Sequence, residues 1–360
     1  MAARLGVSSS ELPVAGAPRP FFSVIVTAYH RRTFLREAVR SVLDQDLDRS
    51  DFEVVVVKDF VDAELEAELA ATSGSVRVHT ENLERMGEMI SKGVELARGE
   101  VVCFIEDDDR FRPGKLRGLR ELFRRSPEVG FVRNSYVGID AEGHALPSWE
   151  RLRPQPPRSL RLSPSARGPG GLAFVFRYGI HINLSTMAIR RELLVPWLPR
   201  FREVPASPDL FVFLLGAISD RVVQVESERW NDYRVHASTS HSALREGNEE
   251  KDLADTLRSQ ATARVMERLL SQGPAGALAE RFVECFHEEV AATTYVLDPT
   301  ARWSVRGWFA FLRTAFWRRQ RYLLVLAAFA TYRAVFPTRA VRSYRRWRYR
   351  ALRTAAGTAE

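Results

Sequence analysis

The apolar run Val101-Val102-Cys103-Phe104-Ile105 leads directly into four acids, Glu106-Asp107-Asp108-Asp109. Five consecutive apolar residues between Gly99 and Pro113 predict a strand that is buried on both faces. Adjacent carboxylates repel one another and are costly to bury without partners. A divalent cation would relieve that repulsion, since Mg²⁺ and Mn²⁺ prefer oxygen ligands. The alternative is a solvated acidic loop before a helix that begins near Pro113.

Strand-like and helix-like segments alternate from residue 22 to residue 133. The predicted strands are Ser23–Thr27, Glu53–Val57, Val76–His79 and Val101–Ile105, and the predicted helices are Phe34–Leu43, Ala63–Ala71, Gly87–Ala97 and Lys115–Phe123. This order predicts right-handed βαβ units and an α/β fold with a mostly parallel sheet between helices. Ligands of such sheets bind beyond the carboxyl ends of the strands, where Thr27, Asp59 and the acidic run fall.

The pattern changes after Pro147. Six prolines between residues 147 and 171 predict a long irregular surface loop. Regular structure is expected again over Ile180–Ile189. Beyond it the sequence predicts a helix over Asp209–Ile218, a strand over Val222–Val225, and helices across roughly 243–272 and 277–295.

Positive charge is concentrated at the C-terminal end. The whole chain carries a formal net charge of +8, whereas residues 299–360 contain 14 arginines, no lysine and one acid, a net +13. Residues 1–298 therefore carry 39 basic and 44 acidic groups, a net −5. This asymmetry predicts that the tail meets an anionic surface.

The two cysteines and the N-terminal residues limit the class of protein. Cys103 and Cys285 lie in separate predicted elements and form no spaced pair, which argues against a disulfide framework or a zinc site. Such cysteine usage fits a reducing compartment. Residues 1–20 contain no apolar run of signal-peptide length and are expected to form a short disordered lead-in.

Several blocks, in order, resemble the family 2 glycosyltransferases of the GT-A fold. They are Ser23–His30 followed by Leu35, Ala38, Ser41–Leu43 and Gln45; Glu53–Asp59; Gly93–Glu100 leading to Phe104–Asp109 and Pro113–Leu116; and Ser185–Arg191, Pro208-Asp209 and Tyr233–His236. The likeness covers about residues 22–241. It implies a GT-A catalytic domain over 21–240, with a donor half at 21–140 and an acceptor half at 141–240. A helical segment over 241–298 and a basic, aromatic-rich tail over 299–360 would follow.

The resemblance implies an inverting, metal-dependent transfer of a sugar from a nucleotide-sugar, with UDP-sugars favoured, to a hydroxyl of a glycan or lipid-linked acceptor. It implies nucleotide contacts at Thr27, Ala28 and Tyr29, where a simple helix-entry turn is the alternative. Asp59 would accept the N3–H of uracil or thymine, or else cap the next helix. Lys58 and Phe60 depart from the family pattern beside Asp59, which leaves the base of the nucleotide open.

The resemblance also assigns the metal and the catalytic base. Asp108 is predicted as the direct ligand of Mg²⁺ or Mn²⁺, with Asp107 or Glu106 reaching the metal through water or contacting the ribose. Asp209 is predicted as the general base, and its apolar neighbours are expected to raise its pKa. A carboxylate favoured only by the helix dipole is the alternative. His236 is expected at the diphosphate or the metal.

Three further side chains have weaker signals. His241 is expected at an ordinary surface position. Trp149 and Trp230 either stack on sugars or pack against the protein.

The tail from 303 to 353 interleaves arginines with Trp and Phe. Its apolar run Tyr322–Phe336 holds 15 residues, which is short of the ~20 needed to span a bilayer. We expect interfacial helices on anionic lipid, with the protein peripheral on the cytoplasmic face of the cell membrane. Helices docked on the catalytic domain are the alternative. The body contains no nucleic-acid recognition motif.

Two other function classes compete with sugar transfer. A sugar-phosphate nucleotidyltransferase needs a Gly-rich, basic loop after the first strand, but Thr27-Ala28-Tyr29-His30 contains no glycine. A catalytically silent membrane-bound scaffold would be favoured by loss of the acidic run or of Asp209, and both are present.

Overall fold

The computed structural model describes residues 19–71, 76–236, 249–272, 276–298, 300–318 and 321–355. Residues 1–18, which hold most of the predicted lead-in, and His241 lie outside these ranges.

The strands in the described ranges belong to one sheet. They are β1 (Phe22–Ala28), β2 (Phe52–Lys58), β3 (Val76–Thr80), β4 (Val101–Glu106), β5 (Arg110–Phe111), β6 (Val129–Ile139), β7 (Leu160–Leu162), β8 (Met187–Arg190) and β9 (Val222–Arg234). Their order is β3-β2-β1-β4-β8-β6-β9-β5, and β7 pairs with the first part of β9. The sheet is parallel from β3 to β4 and mixed beyond, because β8 runs antiparallel to both β4 and β6.

Helices cover this sheet and continue to the C-terminal end. They are α1 (Leu35–Leu43), α2 (Ala63–Ala71), α3 (Met86–Leu96), α4 (Lys115–Arg125), α5 (Pro147–Leu152), α6 (Pro169–Arg177), α7 (Leu198–Phe201), α8 (Pro208–Ile218), α9 (Glu249–Leu270), α10 (Ala277–Leu297), α11 (Val305–Arg318), α12 (Arg321–Val335) and α13 (Pro337–Ala355). The predicted α/β fold with a helical C-terminal extension is confirmed.

The central strands are apolar throughout because both faces are buried. Alternate residues Val24 and Val26 of β1 pack with α1, whereas Ile25 packs with α3 on the opposite face. A Cβ atom added at Gly93 of α3 would lie 2.5 Å from Ile25 Cγ2, so glycine allows this helix to approach β1 closely. Burial of each such Val or Ile stabilises the fold by about 1.5–3 kcal/mol.

The prediction of one long irregular loop over 147–171 is wrong. This segment contains α5, β7 and the start of α6. Pro147 and Pro169 each occupy the first position of a helix, where the missing N–H costs no intrahelical hydrogen bond. The three residues of β7 find ladder partners on β9.

Two other elements differ from the sequence expectation. β6 was not predicted as a strand, and β9 continues to Arg234 instead of ending at Val225. Polar residues of both strands, such as Asn134 and Asn231, are buried and bond to each other, so they do not follow the apolar pattern of a core strand. Within Ile180–Ile189 the regular structure is a 3₁₀ turn, Leu184–Thr186, followed by β8.

The C-terminal helices pack on the body through α10. One side of α10 places Phe282 and Cys285 in the core that also holds α6 and α8. Its last turns, with Ala292 and Val296, pack against Phe311 and other apolar residues of α11, α12 and α13. The docking of helices that the sequence left as an alternative is therefore present. Across the described ranges, no helix combines the length and the apolar character needed to cross a membrane.

Candidate active site

The acidic run joins two distant strands of the sheet. Asp107, Asp108 and Asp109 form the whole connection between β4, in the middle of the sheet, and β5, at its far edge. The backbone N–H of Asp107 donates to the Thr27 carbonyl oxygen at 3.0 Å, and that of Glu106 donates to Ser185 Oγ at 2.9 Å. The three aspartates are buried, with 1–7% exposure. The alternative of a solvated acidic loop is therefore wrong.

Arg31 lies against the outer carboxylates of this run. Its Nε and Nη2 atoms lie 2.8 Å and 2.5 Å from the two carboxylate oxygens of Asp107, and Nη2 lies 2.8 Å from Asp108 Oδ2. Burial raises the pKa of Asp107 to about 6, against the lowering effect of the Arg31 hydrogen bonds. Burial alone would lower the pKa of Arg31, but the hydrogen bond to Asp107 and the neighbouring acids raise it.

His236 completes this outer group. Its Nε2 atom lies 3.1 Å from Asp108 Oδ2 and 3.4 Å from Arg31 Nη1. The structure thus brings together Asp107, Asp108 and His236, as the sequence predicted, and adds Arg31, which the sequence analysis missed. The available signal was its position two residues after Tyr29, at the carboxyl end of β1.

Arg234 holds the inner part of the run. Its backbone N–H donates to Asp109 Oδ1 at 2.9 Å, and its guanidinium donates to the carbonyl oxygens of Asp108 and Ala141 at 3.0 Å and 2.6 Å. Its Nη2 atom donates to Glu37 at 2.6 Å. Burial and the charge of Asp108 raise the pKa of Asp109 well above its usual range.

A second buried cation, Lys115, organises the segment beneath the acids. Its ammonium group donates to the Ser185 carbonyl oxygen at 2.7 Å and to Asn231 Oδ1 at 2.8 Å, and lies 3.7 Å from the centre of the Phe111 ring. Burial lowers the pKa of Lys115 to about 7. Because Ser185 Oγ accepts the Glu106 N–H, this network fixes the end of β4.

Asp209 lies at the start of α8 and is partly buried. Its Oδ2 accepts the backbone N–H of Asn183 at 2.9 Å, and its Oδ1 accepts that of Leu210 at 3.0 Å. Burial raises the pKa of Asp209 to about 6, although these N–H groups lower it, which confirms the direction expected from its apolar neighbours. The charge of Asp209 in turn raises the pKa of Glu106, after the larger effects of burial and of the other acids. The two residues are linked through one short segment, because Asp209 binds the N–H of Asn183 and Glu106 donates to Ser185, two residues further on.

The predicted nucleotide residues lie at the carboxyl ends of β1 and β2. Asp59 accepts the backbone N–H of His30 at 2.8 Å, and its second carboxylate oxygen contacts Nδ1 of the His30 ring. Asp62, rather than Asp59, accepts the N–H of Leu65 at the start of α2, so the capping alternative for Asp59 is wrong. Lys58 points into the protein, where it donates to Thr80 and Glu66. Thr27 Oγ1 is buried with no hydrogen-bond partner among the described residues.

Both tryptophans have packing contacts. Trp149 is buried and stacks on Tyr233 with ring centroids 5.7 Å apart. Trp230 packs on α4, where a Cβ added at Gly118 would lie 2.6 Å from its Cζ2 atom. Packing within the protein therefore accounts for the whole Trp149 side chain and for part of the Trp230 side chain.

The carboxylates of Asp107 and Asp108 fit a divalent cation. They offer hard oxygen ligands, and both already contact one positive group, the Arg31 guanidinium, which stands where a cation is favourable. A different cluster, Asp140, Glu142 and His144, has ligand atoms within 4.8 Å of one another among the described residues. Two of its members are exposed, and Asp140 already accepts the N–H of His144 at 2.7 Å.

Comparisons with known proteins agree with this architecture. Residues 23–194 match the family described as Glycosyl transferase family 2. An uncharacterized glycosyltransferase of Nostoc sp. is 25% identical over 251 residues, which make up 64% of this chain and 69% of that protein.

Solved structures are similar over nearly the whole chain. TarS 1–349 of S. aureus in complex with UDP-GlcNAc has a TM-score of 0.53 at 15% identity, covering 92% of this chain and 90% of that one. Mannosyltransferase PcManGT from Pyrobaculum calidifontis, in complex with GDP-Man and Mn²⁺, has a TM-score of 0.51 at 16% identity, covering 94% and 91%. At such identities the likeness is one of fold. Together with the family match, it identifies the chain as a glycosyltransferase whose residues 23–194 carry a family 2 domain in a GT-A fold.

Proposed function

We propose that this enzyme transfers a sugar from a nucleotide-sugar, with a UDP-sugar favoured, to a hydroxyl acceptor with inversion at the anomeric carbon. The observation that carries the proposal is the placement of Asp209. Its partly buried carboxyl group, with a pKa of about 6, is linked through Asn183 and Ser185 to the end of β4, next to Asp107 and Asp108. A donor diphosphate held through a divalent cation on the acids and an acceptor hydroxyl held at Asp209 would meet there.

The reaction is a single displacement. The acceptor oxygen forms a bond to the anomeric carbon, the bond to the diphosphate oxygen breaks with its electron pair, and Asp209 takes the hydroxyl proton. Asp107 and Asp108 would hold Mg²⁺ or Mn²⁺, with Glu106 close by, and the metal when bound would stabilise negative charge on the leaving diphosphate. The Mn²⁺ in the PcManGT complex supports the use of a divalent metal.

The nucleotide would lie along the ends of β1 and β2. The Thr27 hydroxyl, which has no hydrogen-bond partner in the described part of the chain, would contact it together with Ala28 and Tyr29. Asp59 offers an acceptor to the N3–H of uracil, and its bonds to His30 hold the carboxylate in one orientation. This acceptor chemistry is the reason that UDP-sugars are favoured.

The first experiment compares Asp209→Asn with the wild-type enzyme on a panel of nucleotide-sugars, with and without Mn²⁺. Donor affinity should persist, whereas transfer should fall by about 10²-fold or more, the usual cost of losing a general base. Asp220→Asn is the matched control, because Asp220 lies just beyond the other end of α8 and is 93% exposed. Near-normal transfer by Asp209→Asn, or a product that retains the donor's anomeric configuration, would overturn the assignment.

The second experiment tests the metal ligands. Asp108→Asn should abolish metal-supported donor binding while leaving the fold intact, because it removes one charge from a group of mutually repelling acids. Donor binding and circular dichroism measured with and without Mn²⁺ check this. Unchanged metal dependence in the variant would exclude Asp108 as a ligand.

We propose further that the C-terminal helices hold the enzyme on an anionic membrane as a peripheral protein of the cytoplasmic face, near a lipid-linked or cell-surface glycan acceptor. Each helix has a solvent-exposed stripe at helical spacing. The stripes are Val305, Phe309, Arg313 and Phe316 on α11; Leu324, Ala328, Tyr332 and Val335 on α12; and Arg339, Arg342, Arg346 and Arg350 on α13. Exposed aromatic and aliphatic groups beside arginines are the composition of an interfacial surface.

Vesicle flotation tests the membrane proposal with point substitutions. Removing the tail near residue 298 would expose the apolar end of α10, so truncation is expected to lower solubility rather than raise it. Replacing the four exposed arginines of α13 by Gln should weaken binding to anionic vesicles by about 100-fold or more, at roughly 1 kcal/mol each. Gln at Arg117, Arg124 and Arg125, exposed on α4, is the control. Equal binding of wild type to neutral and anionic vesicles would contradict the role of charge.

A further inference from the structure

Arg31 lies in the connection between two elements and contacts the acidic run directly. It lies between β1 and α1, next to His30, whose φ of +55° is in the left-handed region, and its side chain is 21% exposed. The guanidinium reaches the two oxygens of Asp107 at 2.8 Å and 2.5 Å and Asp108 at 2.8 Å. These are the two carboxylates that the proposed function assigns to the metal.

The other two buried cations of the site are committed elsewhere. Arg234 donates to Glu37 and to main-chain carbonyl oxygens, and it is 1% exposed. Lys115 is fully buried and donates to the Ser185 carbonyl oxygen and to Asn231. Both therefore hold the scaffold, whereas Arg31 bonds directly to the side chains of the candidate ligands from a partly exposed position.

A divalent cation and Arg31 cannot share these carboxylates without mutual repulsion. Two unit charges about 4 Å apart interact with roughly 4 kcal/mol at the dielectric typical of a protein surface, and a dication doubles that value. Binding of a metal to these carboxylates therefore favours departure of the guanidinium. The planar guanidinium of arginine can donate two parallel hydrogen bonds to a carboxylate, and it can donate them equally to two oxygens of a diphosphate.

We propose that Arg31 is an exchangeable counter-ion of the donor site. In the metal-free enzyme it neutralises Asp107 and Asp108; when a divalent cation takes those carboxylates, its guanidinium turns to the diphosphate of the bound nucleotide. This inference rests on the proposed function, because it names a residue that recognises the donor. Arg31 belongs to neither β1 nor α1, so its side chain can turn without breaking the main-chain bonds of a strand or helix.

The inference predicts two changes of opposite sign in Arg31→Met. Mn²⁺ should bind the nucleotide-free protein about tenfold more tightly, because the competing cation is gone. UDP and GDP, measured at saturating Mn²⁺, should bind about tenfold more weakly, because one charge-assisted contact to the diphosphate is lost. A merely structural role would not strengthen one affinity while weakening the other.

The matched control is Arg32→Met. Arg32 is the next residue, is exposed, and lies 4.9 Å over the Phe60 ring rather than on the acids. Calorimetry with nucleoside diphosphates and electron paramagnetic resonance of Mn²⁺ give the two affinities, and thermal melting checks the fold. Both affinities of the Arg32→Met protein should stay within about twofold of wild type, since no site contact changes.

Defined results overturn the inference. An Mn²⁺ affinity of Arg31→Met that is unchanged or weaker would do so, as would unchanged affinity for UDP and GDP. If that variant does not fold, Arg31→Lys is the test variant. Lysine keeps the positive charge but lacks the planar guanidinium, so affinity for UDP and GDP should fall at least about fivefold. Unchanged affinity of Arg31→Lys would overturn the inference. Opposite shifts in an enzyme that transfers no sugar would refute the proposed function and leave the assignment of Arg31 standing.

Discussion

The raised pKa of Asp209 predicts the pH dependence of transfer. A general base acts only when ionised, and burial raises the pKa of this carboxyl group to about 6 from its usual 3.8. The ionised fraction is then about 90% at pH 7 and about 10% at pH 5, so the turnover number should fall by about tenfold over this interval. The shift corresponds to roughly 3 kcal/mol of penalty for the buried charge.

The assay measures initial rates from pH 5 to pH 8 at saturating donor and Mn²⁺. Saturating metal keeps the acidic run ionised, which matters because burial also raises the pKa of Asp107 to about 6. The residual rate of Asp209→Asn should lack the acid limb. A flat wild-type profile, or an acid limb of the same midpoint in Asp209→Asn, would refute the reasoning.

The same pKa gives a prediction about stability with a definite sign. Between about pH 4 and pH 6 the folded protein holds a proton on Asp209 that the unfolded chain has released. Its contribution to stability is therefore lost as the pH rises through this window, by up to about 1.4 kcal/mol per pH unit. The unfolding free energy of wild type relative to Asp209→Asn, measured with urea at several pH values, should fall accordingly, and a constant difference would contradict the burial effect.

The remaining predictions concern groups around the site. Burial lowers the pKa of Lys115 to about 7. Between about pH 7 and pH 10 the unfolded state therefore binds more protons than the folded state, and the unfolding free energy of wild type should rise by up to ~1.4 kcal/mol per pH unit. Urea titration of Lys115→Met should show no such slope. Gly118→Ala should destabilise the protein by about 1–3 kcal/mol because its Cβ collides with Trp230. Gly170→Ala should instead gain roughly 0.5–1 kcal/mol, because a Cβ there meets no other part of the described structure within 4 Å outside its own helix and chain neighbours. Equal melting temperatures of the two variants would refute both predictions. Trp149→Phe should lower the melting temperature and leave the KM of both substrates unchanged, and a raised acceptor KM would restore a sugar-stacking role.

The first four strands and the placement of the acids could be read from the sequence. A strand buried on both faces needs a continuous apolar run, as in β1, β2 and β4. The carboxyl ends of parallel strands then share one edge of the sheet, which places Thr27, Asp59 and the acidic run together. These inferences need only local composition and chain order.

The features that the sequence analysis missed depend on partners far along the chain. Arg31 meets Asp107 across 76 positions, and neither residue is marked by periodicity. Asn231 of β9 can be buried because its side chain accepts hydrogen bonds from Lys115 and Asn134. A polar residue at this position does not fit the apolar pattern of a buried strand, so the second part of β9 could not be predicted from the pattern. In the tail, an apolar stripe on a helix can pack against lipid or against protein, and the sequence does not distinguish the two. The structure shows that Phe311 is buried whereas Phe309 is exposed.

The strand order of the sheet limits how this enzyme could be re-engineered. Three residues connect β4 to β5, β8 bonds directly to β4, and β9 supports both Asp108 and Asp109 through Arg234. The segments before and after residue 140 are thus interleaved by hydrogen bonds rather than joined end to end. A chimera that exchanges residues 141–240 with those of a relative would replace Ser185, Arg234 and His236 at once, all of which contact the acidic run or the end of β4. Altered specificity is better sought by grafting the loop that follows β2, which contributes none of these hydrogen bonds.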